Sequence, residues 1–324
     1  MQAGVITAYG GPECLVVQDI ETPVPRPGNI VVQVDAAGLN FYDIVERRGY
    51  FPGQSNPPLR AGVEGAGTVV ATAGDVTTPA VGERVMWVHV PGSHAQFVEV
   101  PAVEAIPLPQ WLDAVDAAAV CVQGLTAHYL ANSLRPMAEG DTALVWAAAG
   151  GVGRLLTQML AAKGAHVIAA TSSAAKAREA TAAGAECSVL YADVRDAVDE
   201  STDGVGVDVV FDGVGAPTFD MSLASVRPRG LLAVYGGAGG ALPPVEPFRF
   251  ASAGSVQFAR PRLTDFLSSR RELLHRAEEL LSLVHSGDVT VRIAARYPLA
   301  DIAEAHRALE SRATVGKVVL VPQP

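Results

Sequence analysis

Short apolar stretches at residues 30–34, 67–71 and 82–86 alternate with Pro- and Gly-rich turns over the first third of the chain. Runs of this length between turn residues predict β-strands, and helical periodicity is scarce before about residue 120. From about Thr142 the pattern changes. An apolar run at 143–147 meets glycines and then a helical stretch. Strand candidates at 167–170, 188–190, 207–211 and 231–235 then alternate with helix candidates at 151–163, 174–183 and 218–226. Such alternation predicts a doubly wound parallel sheet with helices on both faces, an α/β fold whose ligand lies at the carboxyl ends of the strands. Beyond residue 260 come an amphipathic helix candidate at 264–285, Gly287, a shorter one at 299–310 and the ending KVVLVP, which reads as a further strand.

Composition narrows the functional classes. The 324 residues are 49% hydrophobic and 18% charged, enough to bury a sizeable core and to form two domains. A net charge of -10 argues against nucleic acid and anionic membranes, both of which need a positive surface, and favours a small-molecule substrate. Cys14, Cys121 and Cys187 are scattered without CxxC spacing, so neither a disulfide framework nor a thiolate metal site is predicted. The start MQAGVITAYGGPE lacks a basic segment followed by an apolar run, and no 18 consecutive residues are apolar. A soluble, cytoplasmic protein is expected.

The segment Ala147-Ala148-Ala149-Gly150-Gly151-Val152-Gly153 contains the A-x-G-x-x-G form of the dinucleotide fingerprint, between an apolar strand and a helix opening Arg154-Leu155-Leu156. Small residues let the chain turn tightly and let a pyrophosphate approach backbone N–H groups, while the last glycine allows close helix packing. An NAD site usually carries a carboxylate at the end of the second strand, for the ribose 2′-hydroxyl. Here the chain reads Ala170-Thr171-Ser172-Ser173. With no carboxylate to repel it, a 2′-phosphate is accommodated, and Ser172, Ser173 and Lys176 can donate to it; NADPH is the predicted cofactor. The alternative for Lys176 is an ordinary solvated helix residue.

GGPE (10–13), GLNFYD (38–43), AGVEGAGTVV (61–70), GERV (82–85), QGLTAHYL (123–130), AAAGGVG (147–153), ARP (259–261) and ESRATVGKVVL (310–320) together resemble the medium-chain dehydrogenase/reductase superfamily, and within it the zinc-independent quinone oxidoreductases related to zeta-crystallin. The likeness covers nearly the whole chain. It implies a mainly β GroES-like catalytic domain at 1–121, a Rossmann domain at 122–259 that binds NADPH, and a segment at 260–324 completing the catalytic domain. Zinc dehydrogenases of the superfamily hold their metal through a Cys and a His followed by Glu. Asn40 and Val63-Glu64 stand in those places, and four structural thiolates are impossible with three cysteines, so no metal is expected.

The resemblance also implies residue roles. Asn40 approaches the nicotinamide ribose or carboxamide, and Thr126 the nicotinamide side of the cofactor. Ala149, Gly150, Gly151 and Val152 meet the pyrophosphate; Ser172, Lys176 and Tyr191 the adenosine phosphate; Tyr235 and Gly236 the ribose and nicotinamide; Arg312 the cofactor phosphates. Arg260, in ARP, binds cofactor or substrate, or pairs with a surface carboxylate. Asn40 as a turn cap, Tyr235 as a core residue and Arg312 as a solvated helix end are the alternatives. The family's loop tyrosines are replaced by Val45 and Phe51. Tyr50 is then the nearest candidate proton donor, with packing or surface exposure as its alternative, and His94 a candidate for the substrate entrance.

Hydride transfer needs no protein nucleophile, only a nicotinamide held against an electrophilic carbon. The reading is a reductase acting on a quinone or another conjugated carbonyl. An enoyl or double-bond reductase, and a crystallin-like NADPH binder with little catalysis, are the competing functions. Family members pair through the last Rossmann strand, so a homodimer through residues 255–258 is implied.

Overall fold

The computed structural model describes residues 1–51 and 53–322; Pro52, Gln323 and Pro324 lie outside the described residues. Two compact units emerge. One comprises Met1–Val122, Ser268–Ala277 and the residues from Val291 on; the other comprises Gln123–Leu267 and Glu278–Thr290.

The elements in chain order begin with β1 (Gln2–Ile6), β2 (Leu15–Asp19), β3 (Asn29–Leu39), α1 (Phe41–Arg47), β4 (Leu59–Arg60), β5 (Glu64–Thr72), β6 (Arg84–Val88), β7 (Phe97–Pro101), β8 (Ile106–Pro107) and α2 (Ala114–Tyr129). There follow β9 (Thr142–Trp146), α3 (Gly151–Ala162), β10 (His166–Thr171), α4 (Ala174–Ala182), β11 (Cys187–Leu190), α5 (Val194–Ser201), β12 (Val207–Asp212), α6 (Phe219–Ser225), β13 (Val226–Val234), α7 (Phe248–Ser252) and β14 (Gln257–Ala259). The last are α8 (Arg270–Ser286), β15 (Ile293–Pro298), α9 (Ile302–Glu310) and β16 (Lys317–Val321).

The second unit holds a six-stranded sheet in the order β11-β10-β9-β12-β13-β14, parallel throughout. Chain order reverses beside β9, the switch point where doubly wound sheets bind ligands at the strands' carboxyl ends. Central strands such as β9 (TALVW) and β12 (VDVVFD) are nearly continuous apolar runs, as burial on both faces requires. Leu144, Trp146, Ile168, Val210 and Leu232 belong to this unit's core.

The first unit is mainly β. A seven-stranded sheet runs β15-β16-β3-β5-β6-β8, with β7 also on β3, and a three-stranded sheet runs β2-β1-β4. The 11-residue β3 pairs with β5 along one edge, while its other edge takes β7 near Asn29–Gln33 and β16 near Ala37–Leu39. That last pairing brings the C-terminal strand beside Asn40. Ile30, Val32, Leu39, Trp87 and Leu320 lie in this unit's core.

Several elements depart from the periodicity reading, α1, α7 and β15 among those it did not anticipate. α2 was not anticipated: AVDAAAVCVQGLTAHY is apolar on every side, so no helical stripe stands out, yet Asp113 Oδ1 accepts the Asp116 N–H at 2.8 Å and caps its start. The short helix α5 was also missed. The helix expected from 264 begins at Arg270, where Ser269 Oγ accepts the Glu272 N–H at 3.2 Å; residues 263–266 form a separate 3₁₀ turn.

Candidate active site

In the second unit, β9 ends at Trp146, and Ala147 takes the left-handed conformation (φ 52°) that turns the chain into α3. Gly150 N–H donates to Ala147 O at 2.8 Å, and the Arg154 N–H is taken up by Gly150 O at 2.8 Å. The N–H groups of Gly151, Val152 and Gly153 therefore form the open first turn of α3, where an anion is favoured. A Cβ at Gly153 would overlap Ala147 O and lie 2.9 Å from Ala148 Cα, so only glycine permits this approach. Ala149 is buried beneath the turn. The Gln123 side chain lies against Gly151, where a Cβ would overlap its amide; Gln123 sits in the QGLTAHYL segment but was not singled out from the sequence.

At the end of β10, Ser172 and Ser173 are exposed, and Ser173 Oγ accepts the Lys176 N–H at 3.4 Å, opening α4. Tyr191, just after β11, packs edge-on against Trp146 with ring centroids 5.0 Å apart. On the other side of β9, β12 ends with Asp212, wholly buried. Its Oδ1 accepts from Val214 N (2.8 Å) and Gly215 N (3.0 Å), and its Oδ2 from Thr218 Oγ1 (2.8 Å) and Ser222 Oγ (2.7 Å), fixing the loop after β12. Beside it, Tyr235 N–H donates to Asp212 O at 2.9 Å, and the absent Cβ of Gly213 leaves room for the Tyr235 hydroxyl 2.7 Å from where it would stand. Gly236 passes equally close to Gly213. Burial, then Asp212, pushes the Tyr235 hydroxyl upward, so it is a donor and not a phenolate. Arg260, following β14, donates to Val234 O at 3.1 Å. Thr126, on α2, is 9% exposed.

In the first unit, Asn40 follows β3 and caps the start of α1, and its N–H donates to Asp43 Oδ2 at 2.7 Å. Its side chain belongs to a buried cluster. Asn40 Nδ2 donates to Glu64 Oε1 at 2.6 Å, Lys317 Nζ donates to Asn40 Oδ1 at 2.7 Å and to Glu64 Oε1, and Glu64 Oε2 accepts the Val122 N–H at 2.7 Å. Burial pushes the Asp43 carboxyl up to about 8, so it is protonated at neutral pH. The sequence reading did not single out Lys317, although a lysine opening an apolar strand in a chain with three lysines was a signal.

Tyr50, the candidate proton donor, is 68% exposed. Tyr42, 39% exposed, packs on Phe51 with centroids 4.6 Å apart and lies edge-on to His89 at 6.2 Å. His94 is not at a substrate entrance. It is fully buried, its Nε2–H donates to Gly38 O at 3.1 Å, and burial lowers its pKa to about 4, which makes it a neutral core residue. Arg312 follows α9 in the left-handed conformation (φ 56°), its N–H on Leu309 O at 3.1 Å, the geometry of a helix terminator.

With these arrangements in view, similarity to known proteins gains physical content. A model described as an alcohol dehydrogenase GroES-like domain matches residues 26–110, and one described as a zinc-binding dehydrogenase matches residues 183–320. The chain is 38% identical over 318 residues to a quinone oxidoreductase of Pseudomonas aeruginosa, covering 97% of this chain and 98% of that one. It is 35% identical over 332 residues to a 2-haloacrylate reductase of a Burkholderia species, covering 100% and 99% respectively. The native structure of a mycobacterial protein complexed with NADPH superposes with a TM-score of 0.96 at 42% identity, covering 99% and 100%.

The zinc of the second description does not suit the residues present. Zinc sites of this kind use thiolate and imidazole, whereas Asn40 offers an amide and Glu64 a carboxylate oxygen already shared by the Lys317 ammonium and Asn40. A fixed organic cation sits where a metal would need free donors.

Proposed function

Because the chain belongs to the quinone oxidoreductase family of the medium-chain dehydrogenase/reductase superfamily, we propose that it is an NADPH-dependent, zinc-independent reductase of quinones or α,β-unsaturated carbonyl compounds. The observation that carries this reading is the glycine turn at the switch point, paired with a second strand whose end offers hydroxyls and Lys176 in place of a carboxylate. NADPH, when bound, supplies hydride. The chain's part is to hold and orient it: Ala149, Gly150, Gly151 and Val152 at the pyrophosphate, Ser172, Lys176 and Tyr191 at the adenosine phosphate, Thr126, Tyr235, Gly236 and Arg260 toward the nicotinamide end, and Arg312 at a phosphate. Asn40 is assigned to the nicotinamide end.

Reduction of a quinone or enone places negative charge on an acceptor oxygen, which a fixed donor stabilises. Asn40 and water are the donors favoured here, and Tyr50, being exposed, is the candidate for proton delivery from solvent. The 2-haloacrylate reductase relative is named for a substrate whose double bond is conjugated to a carboxylate, which keeps conjugated alkenes beside quinones as acceptors. Calorimetric binding of NADPH and NADH tests the cofactor assignment. NADPH binds more tightly, and Lys176→Ala narrows the gap about tenfold, as loss of a charge-assisted contact requires; an NADH preference untouched by Lys176→Ala contradicts it.

The assembly read from the resemblance is a homodimer through β14, the last strand of the parallel sheet. Phe258 on that edge and Phe248 nearby are exposed, and Phe258 packs with Phe250 at 5.0 Å, an apolar edge that a second copy would cover.

A further inference from the structure

His94 and His306 are both fully buried in the first unit, and their rings meet edge-on with centroids 6.3 Å apart. Each ring has one nitrogen engaged and one bare. His94 Nε2 faces Gly38 O at 3.1 Å and His306 Nδ1 faces Arg47 Nη1 at 3.3 Å, while His94 Nδ1 and His306 Nε2 have no partner among the described residues. The engaged partners decide where the protons sit. A carbonyl only accepts, so His94 carries its hydrogen on Nε2; a guanidinium only donates, so His306 Nδ1 is a lone pair. Both rings are therefore neutral in this arrangement. A proton added to His306 would set its N–H against that of Arg47, and one added to His94 would leave a buried imidazolium N–H with nothing to accept it.

The surroundings offer no relief. From α1 come Arg47, wholly buried with its Nε–H on Gly10 O at 3.1 Å, and Arg48; both pair with Glu310 of α9, Arg48 at 2.9 Å, so one carboxylate already serves two cations. Lys317, opening β16, adds a third positive charge that acts on His94. Other charged groups on elements packed against α9 are exposed: Glu13 on the 3₁₀ turn 12–14, Asp19 on β2, Arg296 on β15, Asp301, and the Glu304–Arg307 pair of α9 itself. Asp35 on β3 accepts from Thr68 Oγ1 at 3.4 Å, and the Cys14 thiol and Tyr297 phenol bring no charge in acid. Burial, then His94 and Arg47, pushes His306 well below the ordinary imidazole value, and burial holds His94 at about 4.

We propose that His94, His306 and Arg47 form an acid-released latch: with both imidazoles neutral it holds α9 against α1 and the loop before β7, and on proton uptake it lets α9 open locally. Opening can stay local because β15 and β16, which flank α9 in the chain, pair directly with each other. An imidazole freed from the cluster returns toward its ordinary 6.5, so the open form binds protons first. The latch is therefore closed above about 6.5 and weakens as pH falls toward 4, each imidazole raising the opening constant by up to about tenfold per pH unit.

Amide hydrogen exchange on the full chain at pH 6.5 and 5.5, corrected for the intrinsic pH dependence of exchange, tests the latch. Wild type is compared with His94→Gln/His306→Asn, in which Gln can still donate to Gly38 O, Asn can still accept from Arg47, and neither takes up a proton. Asp43 and Glu46, the carboxyls on α1 that burial pushes upward, are common to both proteins and drop out of the comparison. The α9 amides of wild type are expected to lose about thirtyfold in protection over that pH unit, about five- to sixfold for each imidazole, while β3 and β5 keep theirs and the double variant loses none. Protection of α9 that stays level in wild type, that falls equally in the double variant, or that falls only together with β3 and β5 overturns the proposal. Where the double variant does not fold, His306→Asn alone is expected to lose about five- to sixfold, and a loss equal to that of wild type overturns it.

Discussion

Lys317 Nζ donates to Asn40 Oδ1 across 2.7 Å, joining two residues 277 positions apart, and it is the antiparallel pairing of β16 with β3 that brings them together. Removing the ammonium alone leaves the Glu64 carboxylate buried beside an amide. Lys317→Met is therefore expected to lower unfolding stability by about 3–5 kcal/mol, and adding Glu64→Gln to recover most of it. Denaturant titration of the three proteins checks this; a single variant as stable as wild type speaks against a charged pair.

Asp43 gives the protein a distinctive pH response. Its carboxyl titrates near 8 in the fold, against 3.8 when unperturbed, because burial disfavours the anion. Between those values the folded chain retains a proton that the unfolded chain has released, so this group's contribution is full below about 4 and declines as pH rises through 8. His94, near 4 in the fold against 6.5, acts in the opposite sense and only below about 6.5. From pH 6.5 to 8, wild type should lose stability relative to Asp43→Asn by up to about 1.4 kcal/mol per pH unit. Parallel stability curves over that window would rule out a protonated Asp43.

Gly153 and Gly74 make a matched test of the dinucleotide turn. A methyl group at Gly153 meets Ala147 and Ala148 backbone, whereas at Gly74 nothing lies within 4 Å. Gly153→Ala should shift the turn, cost about 1–3 kcal/mol and weaken NADPH binding by at least about tenfold, with Gly74→Ala close to neutral. Equal affinities in the two variants would remove the turn from the cofactor site.

Phe258→Glu places a charge on the exposed edge of β14. If that edge pairs with a second copy, light scattering finds a dimer for wild type and a monomer for the variant. A wild type monomeric at every concentration refutes this assembly.

How far the sequence reveals this molecule depends on distance along the chain. The parallel unit was legible because its strands, helices and turns are local patterns: the glycines at 150, 151 and 153 follow an apolar strand and open a helix within a few residues. α2 was hidden because a helix apolar on all sides has no stripe to recognise. The place of Lys317 beside Asn40 and Glu64 was beyond reach for a different reason: Lys317 opens β16, Glu64 opens β5 and Asn40 follows β3, and they meet only through register, which no spacing rule encodes. His94 misled because polarity in a loop suggests access, whereas Gly62, against which its ring packs, admits it to the core.

The central claim is hydride delivery from NADPH to a conjugated acceptor, and the direct measurement is cofactor oxidation followed at 1:1 comparison of NADPH and NADH with quinones, conjugated enones, haloacrylates, enoyl thioesters and simple saturated ketones, before and after metal chelation. The account predicts NADPH oxidation with quinones or conjugated alkenes, none with saturated ketones, and rates unchanged by the chelator. Oxidation confined to saturated carbonyls, or activity that the chelator abolishes and zinc restores, would contradict it.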